Sequence, residues 1–560
     1  MNPIRIIATV LGLCTPTLAL AVDGDPLPRS ATPAELLLES LNPATRFLPR
    51  GPTASPQGSV ICPGEYAPMD GIVLSYHPNY SPSILSIVRQ MAAQITTTGR
   101  AKAYVVFDPA PSAATLSLFQ TAGADMTKII PITRTLDSIW MRDYGPRYIY
   151  EGGDAAGNGA CRAIIDHTYN RSLRMLDNTF PISFAGNRRH ALYTIPLVHG
   201  GGNHHLDSLG RAYATRLIAN ENPQLGATSA AREAAVVALW HQYQNITTTI
   251  TDPFPTNIDV TQHIDMWAQV IGDDKIMVSQ WPTALPGAPL YEPFRITEAF
   301  AASSAAPAGP YTVYRVPARS IGGVHYTYTN VVMCNDLVLV PSYTNATMVP
   351  LNAEAVAAYQ AALPGKTVVP INCQSLVTLA GVMHCIVMHM PRHMGNDNGS
   401  GNLAPTAYLR SPNGGETFTP DQTINACWIS DDDTLVSNVD LELSFDSGTT
   451  WPLSIALMTA DDGQQSFVLP NYFSRHARLR VTARDSGSPA RTGADISDAD
   501  FSLDGTCRAD VNNSLTLTAQ DIFDFLAAYF ASAVTSDFND SGAISVQDIF
   551  DFLDAYFAGC

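Results

Sequence analysis

The chain has 560 residues, with 32 basic and 50 acidic side chains and a formal net charge of −18. At about 100 to 200 residues per domain, this length predicts about three to five domains. The acidic excess argues against a nucleic-acid binder, because such a surface repels a polyanion. Hydrophobic residues make up 46% of the chain and charged residues 15%, so the chain is too apolar to be disordered. Nine cysteines are too few for a disulfide scaffold of this length.

The first residues have the pattern of an export signal. Arg5 precedes an apolar run, Ile6 to Leu20, that is too short to span a bilayer. Ala19 and Ala21 then supply the small residues that signal peptidase prefers. We predict a signal peptide over residues 1–21 and an N-terminal linker over 22–55. No other stretch is apolar for long enough to cross a membrane, so we expect a secreted or cell-surface protein.

Residues 56–395 alternate helical and strand patterns. Five stretches have the spacing of amphipathic helices. They lie near residues 81–95, 112–122, 229–244, 291–302 and 352–363. Strand pairs with polar turns lie between them, for example at 270–276 and 332–338. This alternation predicts that residues 56–395 form one α/β domain.

Polar residues are concentrated at a few points of this apolar region. In chain order these are Trp140-Met141-Arg142-Asp143, the glycine turn Gly200-Gly201-Gly202-Asn203, His263-Ile264-Asp265, Tyr328-Thr329-Asn330 and His384-Cys385. On a strand, residues two apart such as His263 and Asp265 face the same side. A histidine, carboxylates, an asparagine and a cysteine at strand starts predict nucleophilic cysteine chemistry. Each motif alone is weak, since a single cysteine in an apolar strand usually only fills space.

Taken together and in this order, the motifs resemble one family. With Glu65-Tyr66-Ala67-Pro68-Met69-Asp70-Gly71 ahead of them, they are similar to the guanidine-modifying enzymes of the pentein fold. The most similar type is the Porphyromonas-type peptidylarginine deiminase, and agmatine deiminase is its near relative. The resemblance runs over about residues 56–395. It implies an α/β propeller of five αβ units around a narrow channel.

The resemblance also implies a role for each site residue. Asp143 and Asp265 would hold a guanidinium, which is planar and offers five donors to carboxylates. Cys385 would attack the guanidinium carbon, His263 would protonate the departing ammonia and Asn330 would orient the site. The substrate-binding set would be Trp140, Arg142, Gly201, Gly202 and Asn203. No cofactor is expected for catalysis.

Two further regions follow the catalytic region. Residues 396–405 are a turn-rich linker. Beyond it, apolar and polar residues alternate, as at Val439, Leu441 and Leu443. Short alternating strands with polar turns predict an all-β, immunoglobulin-like or fibronectin-like sandwich over 404–505. We expect it to be a spacer without a catalytic role.

Residues 506–560 contain a repeat. Residues 521–530 return almost unchanged as 548–557, with apolar side chains at helical spacing. A loop of oxygen donors precedes each copy, as in EF-hand calcium sites. The donors are Asp510, Asn512, Ser514, Thr516 and Asp521 in the first loop, and Asp537, Asn539, Ser541, Ser545 and Asp548 in the second. Each loop has only two carboxylates, which predicts weak calcium binding.

This tandem resembles a dockerin module that ends in Gly559-Cys560. The resemblance implies calcium binding and attachment to a cohesin-like or cell-surface partner. Cys507 and Cys560 bracket the module, and a disulfide between them fits this interpretation. Two amphipathic helices with solvated caps are the alternative.

The combined interpretation is an exported protein-arginine deiminase. It would convert arginine, peptidyl or C-terminal, to citrulline and ammonia through a covalent thiouronium on the cysteine. The alternative within the same chemistry is an agmatine deiminase, which forms N-carbamoylputrescine. A secreted cysteine protease and a non-catalytic surface adhesion protein are the remaining alternatives.

Overall fold

The computed structural model describes residues 26–41, 49–154, 157–283, 291–397, 402–469, 471–514 and 516–559. The predicted signal peptide lies outside these residues. The helices are α1 (Pro33–Leu41), α2 (Pro82–Thr96), α3 (Ala113–Thr121), α4 (Met141–Tyr144), α5 (Met175–Asn178), α6 (Phe180–Arg188), α7 (Leu217–Glu221), α8 (Ser229–Gln244), α9 (Glu292–Ser304), α10 (Val349–Ala362), α11 (Gln374–Val377), α12 (Ala519–Phe530) and α13 (Val546–Ala558).

The strands up to residue 391 are β1 (Val60–Ile61), β2 (Met69–Tyr76), β3 (Lys102–Phe107), β4 (Ile129–Thr133), β5 (Arg147–Glu151), β6 (Cys161–Tyr169), β7 (Ala191–His199), β8 (His205–Leu206), β9 (Arg211–Thr215), β10 (Thr247–Thr251), β11 (Ala268–Gly272), β12 (Lys275–Gln280), β13 (Thr312–Ile321), β14 (Val324–Thr327), β15 (Val332–Cys334), β16 (Leu337–Ser342), β17 (Thr367–Asn372) and β18 (Val387–Pro391). The remaining strands are β19 (Thr406–Ser411), β20 (Thr417–Phe418), β21 (Thr423–Asp431), β22 (Val436–Ser444), β23 (Leu453–Thr459), β24 (Gln464–Val468), β25 (Phe473–Asp485), β26 (Thr492–Ile496) and β27 (Phe501–Asp504).

The five predicted amphipathic helices are confirmed as α2, α3, α8, α9 and α10. Helix α2 shows why the spacing of apolar residues predicts these helices. Pro82 occupies its first turn, where a missing N–H costs nothing, and Ile84, Val88 and Met91 are buried on one face. Both predicted strand pairs are also confirmed, because β11 pairs with β12 and β15 with β16, each antiparallel.

Strands β1–β18 form five sheets within the described residues. Their orders are β18-β2-β3-β4, β1-β5-β6-β7, β10-β9-β8, β11-β12-β13-β14 and β15-β16-β17. Every sheet contains a parallel pair whose connection includes a helix, as in β2-α2-β3 and β16-α10-β17. The α/β class is therefore confirmed, and the propeller arrangement stays a prediction.

Each of these sheets has one short polar segment just before one of its strands. The segments are α4 before β5, the 3-10 turn Gly201–Asn203 before β8, the 3-10 turn Ile264–Met266 before β11, residues 328–330 before β15 and the 3-10 turn His384–Ile386 before β18. Strand β18 pairs antiparallel with β2, so the end of this region lies beside its beginning. The five segments carry the motifs identified in the sequence.

The strands after residue 404 form two sheets around a separate core. One has the order β19-β21-β24, and the other has the order β20-β27-β25-β22-β23 with β26 on β25. Val439, Leu441, Leu479, Val481 and Trp428 are buried in this core, which confirms the alternating pattern of β22 and β25. The immunoglobulin-like or fibronectin-like class stays a prediction.

This β-region is joined closely to the first region. Arg162 of β6 and Asp431 of β21 form a buried ion pair, with Nε–Oδ2 at 2.8 Å and Nη2–Oδ1 at 3.0 Å. Arg410 of β19 reaches Glu151 of β5 at 2.9 Å. The predicted linker thus leads directly into an interface.

The C-terminal repeats form α12 and α13, which pack on each other through stacked Phe525 and Phe552 rings 4.2 Å apart. Each helix begins with a capping box, Thr518 with Asp521 and Ser545 with Asp548. Cys507 is disulfide-bonded, and Cys560 lies outside the described residues. In the described part of the chain, no helix is long and apolar enough to cross a membrane.

Candidate active site

An arginine side chain that no sequence motif predicts occupies the centre of the site. Arg29 lies just ahead of α1 in the predicted N-terminal linker, and its side chain is fully buried. The linker expectation over 22–55 was therefore incomplete, because part of this segment is ordered against the α/β region. Every nitrogen of the Arg29 guanidinium has a partner among residues that the sequence had placed in the active site.

Two carboxylates, each just ahead of a strand of a different sheet, hold this guanidinium. Asp143 of α4 accepts from Arg29 Nε and Nη2, both at 2.8 Å. Asp265 of the turn Ile264–Met266 accepts from Nη1 at 3.2 Å and from Nη2 at 3.1 Å. Planar bidentate pairing of this kind matches the geometry of a guanidinium and not that of a point charge such as lysine.

The predicted nucleophile contacts the same group. Cys385 Sγ lies 2.7 Å from Arg29 Nη1 and 3.3 Å from Asn330 Oδ1. Asn330 Oδ1 also accepts from the His384 backbone N–H at 3.1 Å. Asn330 therefore fixes the turn His384–Ile386 that presents the cysteine.

His263 lies on the other side of the guanidinium. Its Nδ1 is 2.7 Å from Arg29 Nη2 and 3.5 Å from Asp143 Oδ1. The expectation that His263 and Asp265 share one face of a strand is wrong. His263 precedes a 3-10 turn that contains Asp265, and strand β11 begins only at Ala268. The turn still brings both side chains onto one guanidinium.

The glycine motif gives the guanidinium its space. A Cβ added at Gly202 would lie 1.9 Å from Arg29 Nη2 and 2.7 Å from Asp265 Oδ2. Gly202 N–H also donates to Asp143 Oδ1 at 3.2 Å. A Cβ at Gly201 would lie 2.3 Å from the Arg142 carbonyl oxygen. Gly202 thus borders the guanidinium, whereas Gly201 allows two backbone segments to approach.

Two predicted substrate-binding residues support the site from behind. Arg142 pairs with Glu65 at 2.7 Å and contacts the His384 carbonyl at 3.3 Å. Asn203 bonds the backbone of Thr215 and Ile264. Within the described residues, neither side chain forms a hydrogen bond with Arg29. The sequence predicts direct contact with the substrate, whereas these two side chains contact the residues around the guanidinium. Trp140 does contact the Arg29 segment, through its Nε1 and the Leu27 carbonyl at 2.8 Å.

The backbone around Arg29 is bound on both sides by residues that lie outside the sequence motifs. Arg29 N–H donates to the Leu379 carbonyl at 2.9 Å. Arg171 Nε donates to the Arg29 carbonyl at 3.1 Å, and Arg174 Nη2 donates to the Ser30 carbonyl at 3.1 Å. No motif marks these residues in the sequence, because each acts through a long-range contact to main chain.

Opposite charges control the protonation of the site. Burial raises the pKa of Asp143, but Arg29 outweighs it and holds that pKa well below its usual range. The pKa of Asp265 is also lowered, since Arg29 and His384 outweigh burial. Burial lowers the pKa of Arg29, yet Asp143, Asp265 and Cys385 raise it further than burial lowers it. Burial raises the pKa of Cys385, Arg29 opposes this rise, and the two carboxylates add to it.

One cluster next to the site has the composition of a metal centre. Within the described residues, ligand atoms of Glu65, His205 and His384 lie within 4.8 Å of one another. Both ring nitrogens of His384 are already engaged, Nδ1 with Asp265 at 3.0 Å and Nε2 with Glu65 at 2.8 Å. Glu65 also pairs with Arg142. The cluster is therefore better explained as a hydrogen-bonded chain from Arg142 through Glu65 and His384 that positions Asp265.

The chain is similar to known proteins over its α/β region. Residues 61–391, more than half of the chain, match the family model of the Porphyromonas-type peptidyl-arginine deiminase. A protein of Streptomyces avermitilis, provisionally named agmatine deiminase, is 23% identical over 283 residues, which cover 47% of this chain and 77% of the relative. A structure from Porphyromonas gingivalis, provisionally named arginine deiminase, has a TM-score of 0.50 at 20% identity and covers 60% of this chain and 99% of its own.

A solved agmatine deiminase of Enterococcus faecalis is similar at 18% identity, covers 61% of this chain and all of its own, and has a TM-score of 0.49. The likeness to the P. gingivalis structure shows the fold, and the family model shows the chemistry. The chain belongs to the Porphyromonas-type peptidyl-arginine deiminase family, whose members are hydrolases that act on the C–N bonds of guanidines.

Proposed function

We propose that the protein is an exported deiminase of arginine residues in polypeptides. The observation that carries this proposal is Arg29, an arginine inside a peptide segment whose guanidinium reaches Cys385. Backbone groups on both sides of its Cα are hydrogen-bonded by the protein. A site with these contacts suits an arginine with peptide bonds on both sides.

The groups in contact with the guanidinium supply each step of the reaction. After losing its proton, Cys385 Sγ forms a bond to the guanidinium carbon and gives a tetrahedral adduct. The C–N bond to one terminal nitrogen then breaks, and His263, which touches Nη2, can protonate the departing ammonia. The adduct becomes a thiouronium on sulfur. Water deprotonated by His263 replaces the sulfur, which leaves citrulline and the free thiol.

The carboxylates lower the barrier by positioning and charge. Asp143 and Asp265 hold the guanidinium in one orientation beside the thiol, so that the attack takes place within the bound complex and is effectively unimolecular. Their charges favour the cationic substrate over the neutral ureido product, which promotes product release. The guanidinium in turn lowers the cost of forming a thiolate, because it is the cation that opposes the rise in the pKa of Cys385.

The charges near the backbone of Arg29 favour this substrate over agmatine. Arg171 and Arg174 donate to carbonyl oxygens there. Agmatine carries an ammonium group where arginine carries its peptide bonds, and two guanidinium groups would repel that ammonium. They would attract a carbonyl oxygen or the carboxylate of a C-terminal arginine.

Export and attachment belong to the same proposal. Their support is the sequence of residues 1–21 and the resemblance of residues 506–560 to a dockerin. The calcium donors fit such a site in one respect, since Asp510 and Asn512 converge on the Ser514 amide and Asp521 Oδ1 is buried without a hydrogen-bond partner. Ser545 instead caps α13. The donor oxygens of the two loops would hold calcium and so stabilise the loops.

The deciding experiment measures ammonia release and product mass with a blocked arginine peptide, free arginine and agmatine. We expect the peptide to be the best substrate and to gain about one dalton, as the exchange of NH for O requires. Cys385→Ala should abolish ammonia release. Turnover of agmatine alone would contradict the peptidyl assignment, and cleavage of the peptide would indicate a protease. Fractionation of producing cells followed by N-terminal sequencing tests export.

A further inference from the structure

The segment Pro26–Leu41 holds Arg29 in the active site as a substrate would be held. Arg29 lies outside residues 61–391, which match the family model. Its guanidinium contacts both carboxylates, the nucleophile and the histidine. Because the site is filled by the chain itself, an external arginine cannot reach Cys385 while the segment is bound.

The segment is anchored outside the active site as well. Thr32 and Glu35 form reciprocal hydrogen bonds at the start of α1, with Thr32 N–H to Glu35 at 2.7 Å and Glu35 N–H to Thr32 at 3.2 Å. Glu35 pairs with the buried guanidinium of Arg174 at 2.8 Å. These contacts fix the backbone on the C-terminal side of Arg29, which keeps its side chain directed into the site.

We propose that Arg29 is an internal substrate, and that its own deimination releases the segment and opens the site. This proposal rests on the deiminase function proposed above. The reaction takes Arg29 and water to citrulline at position 29 and ammonia, through the same thiouronium on Cys385. The thiol is regenerated, and no other reactant is needed.

The release follows from the charge that the reaction removes. Arg29 is the cation that lies between Asp143 and Asp265. Citrulline is neutral and has lost the donors of one terminal nitrogen. Two buried carboxylates would then face a neutral group, which leaves their charges without a cation. Entry of water or of another guanidinium would lower the free energy of these charges. Before the reaction, the tether keeps the local concentration of Arg29 high at any protein concentration.

The first test is the mass of the peptide that contains residue 29. The full chain is purified as wild type and as Cys385→Ala and is cut with a Glu-specific protease, which cleaves after Glu35 and does not depend on arginine. We expect citrulline at position 29 in the wild type and arginine in Cys385→Ala. Active wild type added to Cys385→Ala should leave Arg29 of the inactive chain unmodified, because that Arg29 lies in its own site.

The second test measures turnover of a blocked arginine peptide. Arg29→Gln carries a neutral side chain and should be active without a lag. Arg29→Lys keeps a cation but has no guanidinium carbon to attack, so it should raise the KM for the peptide by about tenfold or more with little change in kcat. Arg295→Gln, on the exposed surface of α9, is the matched control and should behave as the wild type.

The outcomes separate this inference from the proposed function. If Arg29→Gln turns over the peptide but wild-type Arg29 remains arginine, the inference is overturned and the function stands. If neither the wild type nor Arg29→Gln releases ammonia from any guanidine, the function fails and the inference fails with it. Citrulline at position 29 in Cys385→Ala would also overturn the inference.

Discussion

The environment of one guanidinium explains most of the site at the level of single residues. Asp143 and Asp265 precede strands of different sheets, and between them they accept from all three nitrogens of the Arg29 guanidinium and share only Nη2. Gly202 leaves the space for this pairing, because any side chain there would overlap the guanidinium. The spacing of these residues is therefore set by the shape of a guanidinium.

Gly202→Ala should lower kcat/KM for arginine substrates by about 100-fold or more, because its Cβ displaces the guanidinium by more than the reaction tolerates. Gly186→Ala is the matched control, since a Cβ added at Gly186 meets nothing within 4 Å. Steady-state kinetics of both variants, with circular dichroism to check folding, measure the difference. Equal activity of the two variants would contradict the assigned role of Gly202.

Arg171 is expected to recognise the backbone of the substrate. In an Arg29→Gln background, Arg171→Gln should raise the KM for a blocked arginine peptide by about tenfold or more, because a charged hydrogen bond to a carbonyl is lost. The KM for agmatine should stay the same or fall, since agmatine has no such carbonyl. A parallel rise for both substrates would show that Arg171 acts only on the structure of the site.

Helices and strands were predictable where their pattern is local. Helix α2 and strands β22 and β25 follow from periodic burial of neighbouring residues. The 3-10 turn that carries Asp265 was not predictable, since its shape depends on distant contacts. One of these joins the Ile264 backbone to the Asn203 side chain, 61 residues away. Arg29 was missed for the same reason, because no periodicity marks its segment.

Helix α5 carries a carboxyl group that should make stability depend on pH. Asp177 is fully buried, and burial raises its pKa to about 8, although hydrogen bonds from Ser138 oppose the rise. The folded state therefore keeps a proton that the unfolded chain loses near its ordinary pKa. Stability is present below that ordinary value and is lost as pH rises towards about 8.

Asp177→Asn should remove this loss, because an amide cannot ionise. Between about pH 4 and pH 8 the wild type should lose up to about 1.4 kcal/mol of unfolding free energy per pH unit relative to the variant. Calorimetric melting of both proteins across this range measures the difference. Asp274→Asn, at an exposed turn, is the control. A difference that does not change with pH would contradict the raised pKa.

On the scale of the whole molecule, the chain combines a deiminase region with two regions that have their own cores. The order of these regions was predictable from changes in periodicity and from the C-terminal repeat. The contacts between these regions were not predictable, because Arg162 and Asp431 are 269 residues apart and neither belongs to a motif. The sequence suggested a separating linker at the point where the structure has a close interface.

The C-terminal loops provide the prediction at this scale. Calorimetric titration of the full, chelator-treated chain should show two calcium sites with dissociation constants of about 10⁻⁴ to 10⁻³ M. Asp537→Ala should remove one site, because Asp537 is the first donor of the second loop and orders its turn. Asp554→Ala, exposed on α13, should bind as the wild type does. Absence of calcium binding to the wild type would remove the dockerin-like interpretation.

The buried pair between Arg162 and Asp431 has a consequence for how this enzyme would meet its substrates. Asp431 also contacts His393 at 3.1 Å and His190 at 3.2 Å, so several groups of the deiminase region depend on one carboxylate of the β-region. Breaking this buried pair would leave an uncompensated charge, which opposes hinge motion between the two regions. If the C-terminal repeats attach the protein to a surface, the deiminase region and the β-region would be brought to that surface together.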